Sequence, residues 1–144
     1  MPLSPTISIA LVAAHVLSNV VWIGSILSVA MLVERARFMA DGAEIGALAR
    51  RVYTRLAVPA FLGSFVFGVI RFAADVRSYA HMPWMHAKLT LAFGVIVLHH
   101  IIGARAKRVA GGSPEAGKGA QVLLLVTLAC AAGAVWLGVA KHLP

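Results

Sequence analysis

The stretch Met82–Arg108, MPWMHAKLTLAFGVIVLHHIIGARAKR, decides how the rest of the chain is read. A bilayer-spanning helix needs about 20 mostly apolar residues, and this run is long enough. Yet it carries His86, Lys88, His99 and His100. Ionisable groups at membrane depth are costly and as a rule face the interior of a bundle, where they serve a function. On a helical wheel, Lys88 and His99 fall within roughly 20° of each other, on a face completed by Ala92 and Val95. His86, Thr90, Phe93 and Val97 make a second face, with His100 at its edge. The helix is therefore expected to offer two ionisable stripes to its neighbours.

Composition agrees with a membrane setting. Of 144 residues, 60% are hydrophobic and 12% charged, and the mean hydropathy is +0.88. A soluble domain of this size would be about 25% charged. The length suits one domain, residues 1–144, of a few spans. The formal net charge of +8 does not point to nucleic acid, because the basic residues sit between apolar segments and read as membrane-flanking anchors. Cys130 is the single cysteine, inside an apolar run, so no intrachain disulfide forms and the residue reads as small packing. Met1–Thr6 lacks the basic start of a secretory signal, so the first apolar segment is expected to be a mature helix.

Four spans are predicted, at about 7–33, 56–74, 83–105 and 121–140. The first bears a polar stripe, His15, Ser18, Asn19, Trp22 and Ser25, on an otherwise aliphatic helix. Such a stripe points away from lipid; Ser18, Asn19 and Ser25 suit interhelical hydrogen bonding, and His15 is either a satisfied core imidazole or a ligand. Between the first two spans, Glu34–Arg55 is a mixed-charge connector read as a solvated face, part of which can form a surface helix. In the second span Ser64, Gly68 and Arg71 share a face with Asp75, with Gly63 beside it; Arg71 either pairs with Asp75 at i, i+4 or binds a ligand. Gly111–Gly119, GGSPEAGKG, reads as a flexible loop. In the last span Cys130, Ala134 and Gly138 form a small-residue ridge for packing.

The architecture expected is an all-α integral membrane bundle of four antiparallel helices. Lys and Arg are concentrated in the first and third connectors, which by the positive-inside rule puts both termini outside. His15 and His86 then lie at matching depth in the outer half, whereas His99 and His100 lie about 20 Å deeper than His86 at 1.5 Å per residue. Paired histidines on facing helices, glycines alongside and a basic rim of Arg71, Arg77, His81, Lys141 and His142 suit a b-type haem: imidazoles for the iron, room for the macrocycle, cations for its propionates. His15 with His86 is the depth-matched pair, and His15 with His99 is the alternative. Copper is the rival cofactor, since imidazole also suits it, although only Met82 and Met85 offer sulfur near His86. No CxxC, CxxCH, Walker A or GxGxxG motif occurs.

These residues resemble a known family, the HemJ-type protoporphyrinogen oxidases of bacterial membranes, which are akin to CopD-like copper-resistance membrane domains. The likeness runs through most of the chain. It rests on AHVLSNVVWIG, with His15 and Trp22 seven apart; on RRVYTRLAVPAF, Arg50 to Phe61; on WMHAKL, Trp84 to Leu89, followed by His99; and on the ending VAKHLP. The resemblance implies a homodimer in the bacterial cytoplasmic membrane, with periplasmic termini, binding haem b. It implies oxidation of protoporphyrinogen IX to protoporphyrin IX, with electrons passed to quinone or another membrane acceptor. It makes His15 and His86 the essential histidines and iron ligands, Lys88 the essential lysine, catalytic together with His86, and His99 a further motif residue; Trp22 and Arg71 join the cofactor-binding set. The chain departs from the family pattern at SVAMLVERAR, at Leu98 where a Tyr is usual, and at His100 where a Gly is common. A non-enzymatic haem carrier and a copper-handling protein are the competing readings.

Overall fold

The structure, a computed structural model, describes residues 4–140. Among these all regular structure is helical, and four helical stretches are long and apolar enough to cross a membrane: Pro5–Phe38, Gly42–Ala73, Pro83–Ala110 and Pro114–Ala140. The first comprises α1 (Pro5–Arg35) and a 3-10 turn (Ala36–Phe38); the second is α2 (Gly42–Val52), a π-helical turn (Tyr53–Ala57) and α3 (Val58–Ala73). A short α4 (Val76–Ala80) leads into α5 (Pro83–Ala110), and a second 3-10 turn (Pro114–Gly117) into α6 (Ala120–Ala140). The expected antiparallel four-helix membrane bundle is therefore the fold. Lys141 and His142, expected in the basic rim, lie outside the described residues.

Local chemistry sets the helix ends. Ser4 Oγ accepts the Ile7 N–H at 3.3 Å, and Pro5 occupies the first turn, where its missing N–H costs nothing. At the far end of α5, Ser113 N–H bonds to Arg108 O at 3.1 Å and Gly112 N–H to Val109 O at 3.0 Å. Gly112 supplies the positive φ of 86° that this Schellman closure needs. Large apolar side chains such as Ile9, Leu17, Phe93, Val135 and Trp136 are exposed. In water that surface would be a liability; against acyl chains it is the matching solvent.

Packing is uneven along the bundle. Helix α1 touches α2, α3, α5 and α6, while α5 packs on α6 and α2; α3 leans on α1 and its backbone stands largely clear of α5. The fully buried side chains concentrate where α1, α2 and α5 meet: Ile26, Val29, Ala30, Val33, Ala49, Ile102, Ala106 and Val109. Apolar burial gives little between helices in lipid, so close backbone approach must do the joining, and glycine supplies it. A β-carbon on Gly46 would stand 2.6 Å from Ala110 N and 2.7 Å from the Val109 carbonyl carbon. On the α5–α6 seam, the small-residue ridge receives α5 as expected, with Cys130 against Gly94 and Leu91 against Gly133.

The connectors differ in part from expectation. The segment Gly42–Val52 is helical with Glu44, Arg50 and Arg51 exposed, as a surface helix requires, but it continues into the second span through the π turn and buries Gly42, Gly46 and Ala49. Arg35, Asp41, Glu44, Arg50, Arg51 and Arg55 are exposed, as expected of a solvated face, but Glu34 and Arg37 are half-buried where the two 3-10 turns are stitched together. Arg37 pairs with Glu34 at 2.8 Å and with Glu115 at 3.5 Å, and Glu34 also accepts the Gln121 N–H at 3.3 Å. The GGSPEAGKG segment is likewise a built turn: Gly117 is buried so closely on the Val33 carbonyl that a β-carbon has no room. Gly46→Ala is expected to push α2 off α5 and destabilise the detergent-solubilised protein by about 1–3 kcal/mol. Gly24→Ala, where a β-carbon meets nothing within 4 Å, is the neutral control, both read as thermal midpoints.

Candidate functional site

Two hydrogen-bonded groups lie along the inward stripe of α1. In the first, His15 Nδ1 lies 2.8 Å from Ser64 O of α3, and a carbonyl only accepts, so Nδ1 carries the proton. His15 Nε2 then holds the lone pair and accepts from Asn19 Nδ2 at 3.0 Å. Asn19 Nδ2 also donates to His15 O at 2.9 Å, and Asn19 Oδ1 accepts from Ser64 Oγ at 3.0 Å. Each donor meets an acceptor, which fixes both the tautomer and the amide orientation. Glycine makes the approach possible: a β-carbon on Gly68 would stand 3.0 Å from His15 Cε1, and one on Gly63 3.0 Å from Ser18 Oγ.

Lys88 approaches this group from α5. Its Nζ lies 3.6 Å from where a β-carbon on Gly138 of α6 would stand, and it is within Coulombic range of the His15 ring. The expectation that Lys88 and His99 share an inward face holds, since Val95 and His99 are buried and Lys88 and Ala92 half-buried. The second face does not turn inward: His86, Thr90, Phe93, Val97 and His100 are exposed. Because the backbone of α3 stands away from α5, this side of α5 is met by α3 only through side chains, as where Phe61 touches His100. His86 Nε2 donates to Ala80 O at 2.9 Å, closing the turn that precedes α5.

The second group lies deeper. Trp22 is buried and its indole N–H, a donor only, bonds to His99 Nδ1 at 3.1 Å. The proton of neutral His99 is therefore on Nε2. His99 is 1% exposed, and Nε2 has no hydrogen-bond partner among the described residues. Aromatic rings surround the imidazole: Tyr53 at 4.9 Å, Phe61 at 5.0 Å and His100 at 5.1 Å between centroids. Tyr53 fits there because Gly103, one turn beyond His99, leaves the space its ring fills. So bonded, His99 offers a donor, and neither nitrogen has a lone pair to give a metal.

Arg71 does not pair with Asp75. The helix ends at Ala73, Asp75 has φ −147° and ψ 49°, and the i, i+4 geometry is lost; the Arg71 guanidinium instead lies 5.6 Å from the centre of the Tyr79 ring. Residues whose part was not assigned from sequence are Ser64, whose main-chain oxygen fixes His15, and the ring pair Tyr53 and Phe61. The only sequence signal for Tyr53 is a large residue on one helix with a glycine to receive it on another. Among the described residues no three His, Cys, Asp or Glu side chains converge to hold a bare metal ion. No family model, curated protein or solved structure matches the chain.

The two inward imidazoles, half-buried His15 and buried His99, are expected to be opposite tautomers, His15 protonated on Nδ1 and His99 on Nε2. Magnetic resonance of isotope-labelled histidine separates the two forms. Trp22→Phe should disturb the His99 signal alone and destabilise the protein by about 1–3 kcal/mol, the cost of leaving a buried acceptor unpaired.

Proposed function

We propose that the chain is a membrane oxidoreductase that binds haem b through His15 and acts on a tetrapyrrole, as the resemblance to HemJ-type protoporphyrinogen oxidases implies. The observation that carries the reading is the state of His15. Its Nδ1–H is held by a main-chain carbonyl, the outer arrangement that metal-binding histidines use to orient the ring and raise its basicity. That leaves the Nε2 lone pair for iron, once Asn19 yields its hydrogen bond. Gly68 stands directly beside the His15 ring, and Gly63 beside Ser18 one turn on. A haem needs only one or two ligands from the protein, whereas bare copper needs a cluster that the described residues do not form. This favours haem over copper.

His86 is the second histidine that the resemblance implies would hold the iron. It stands about 40° around α5 from His100, and His100 meets Phe61 of α3, so His86 lies on the side of α5 where α3 departs. Its ligation through Nε2 requires that the bond to Ala80 O open. Bound haem would supply one-electron acceptance and onward transfer to a membrane acceptor such as quinone. The chain's own part falls to Lys88. Its amine either anchors a propionate carboxylate as a cation or, when neutral, takes a proton from the porphyrinogen. In the same reading the protein is a homodimer of the bacterial cytoplasmic membrane with its termini on the periplasmic side.

Purified protein should show a Soret band and, on reduction, an α band, and His15→Ala should lose at least about nine-tenths of the bound haem, on the order of the loss expected for an axial ligand. A colourless, copper-bearing wild type would overturn the reading. Complementation of a porphyrinogen-oxidase-deficient strain tests the reaction, and a well-expressed, haem-loaded wild type that fails to complement excludes it. Lys88→Arg separates the two roles of the lysine: it keeps activity if the amine anchors a carboxylate and loses it if the amine is a base.

A further inference from the structure

We propose that the aromatic cluster around His99 is a second binding site, for an uncharged, planar, carbonyl-bearing molecule of the quinone class that enters from the bilayer. This deepens the haem reading, on which it rests for the class of acceptor, but it stands on different residues, so that quinone binding and haem binding can each fail alone. The imidazole is 1% exposed, its Nδ1 is taken by Trp22, and its Nε2–H has no partner among the described residues. An unpaired buried donor is costly and calls for an acceptor. Three features define that acceptor. The rings that meet the imidazole are those of Trp22, Tyr53, Phe61 and His100, and none of these is acidic or permanently cationic, which suits an uncharged ligand. Rings at 4.9 and 5.0 Å from the imidazole, inclined 30° and 33° to it, favour a flat molecule.

The route is the third feature. The cluster runs from buried His99 to His100, which is exposed and touches Phe61 across the gap between α5 and α3. That gap is where the backbone of α3 stands clear of α5, so access is lateral, from lipid, by rotation of a ring at the exposed edge. Water is the competing occupant. A buried water needs about 2–4 polar partners, and the His99 N–H and the Tyr53 hydroxyl would give it the minimum, so the test must separate water from a carbonyl. A carbonyl oxygen is satisfied by the single N–H while the rest of the molecule meets aromatic faces.

The test uses the whole protein in phosphatidylcholine–phosphatidylglycerol nanodiscs, with histidine isotope-labelled, titrated with a decyl-substituted benzoquinone. The His99 Nε2–H resonance should shift while that of His86 stays in place, and His99→Phe should weaken binding about tenfold. Gly24→Ala, where an added β-carbon meets nothing within 4 Å, should bind as wild type does. An unshifted His99 resonance that exchanges magnetisation with water alone would mean a bound water and overturn the proposal. Quinone uptake no greater than in empty nanodiscs, or a His99→Phe protein that binds as well as wild type, would overturn it too. Should His99→Phe fail to fold, the resonance of the unsubstituted protein decides the matter.

Discussion

A polar atom at membrane depth has only protein to bond to, and the polar stripe of α1 turns that constraint into architecture. His15, Asn19 and Trp22 cannot face acyl chains without leaving donors or acceptors empty, so α1 takes the central position, touching α2, α3, α5 and α6. Its partners are then set atom by atom: Ser64 on α3 for His15 and Asn19, His99 on α5 for Trp22. These few bonds fix the rotation of α1 more firmly than its aliphatic face can, because leucine and valine pack on lipid as well as on each other.

The bundle divides its tasks by depth. Around Val33, Gly46, Ala106 and Gly117, backbones meet directly and the 3-10 turns are tied by Glu34, Arg37 and Glu115. No ligand could enter there. Towards His15 and Lys88, α1 still packs closely on α3 and α5 on α6, but the backbones of α3 and α5 make little contact with each other. A tightly joined end thus holds a looser one open without lipid-facing polar backbone, which the continuous helices keep satisfied. Every ionisable residue singled out for chemistry lies either in the looser part or at its boundary.

Much of this was legible in the chain. The four spans, the inward stripe of α1, the shared inward face of Lys88 and His99, and the ridge at Cys130 come from helical period and composition, which local physics determines. The sequence did not show which side of α5 would lack a closely packed neighbour, since the departure of α3 is decided by packing among three helices; hence His86 and Thr90 proved exposed. Nor could it show that Arg71 turns to Tyr79, because the i, i+4 pairing assumed a helix that stops at Ala73. Hydrogen-bond identity was beyond it as well: the period places His15 and His99 inward, but only the folded bundle shows that one keeps a lone pair and the other keeps a proton. The resemblance supplied the chemistry, and the tautomer of His15 is what the structure adds in its favour.

The π turn at Tyr53–Ala57 bears on how such chains evolve. A turn of this kind accommodates one residue more than regular helix, and each added residue rotates the helix beyond it by about 100°. Ahead of the turn, Gly42, Gly46 and Ala49 meet α5 and its neighbours; past it, Ser64 and Gly68 meet α1. Both contact surfaces are correct only because of that surplus residue. A one-residue deletion there would yield a smoother cylinder and a worse protein, with the Ser64 oxygen swung a quarter-turn from the ring it holds. Alignments that treat the interval as ordinary helix would score the loss as harmless.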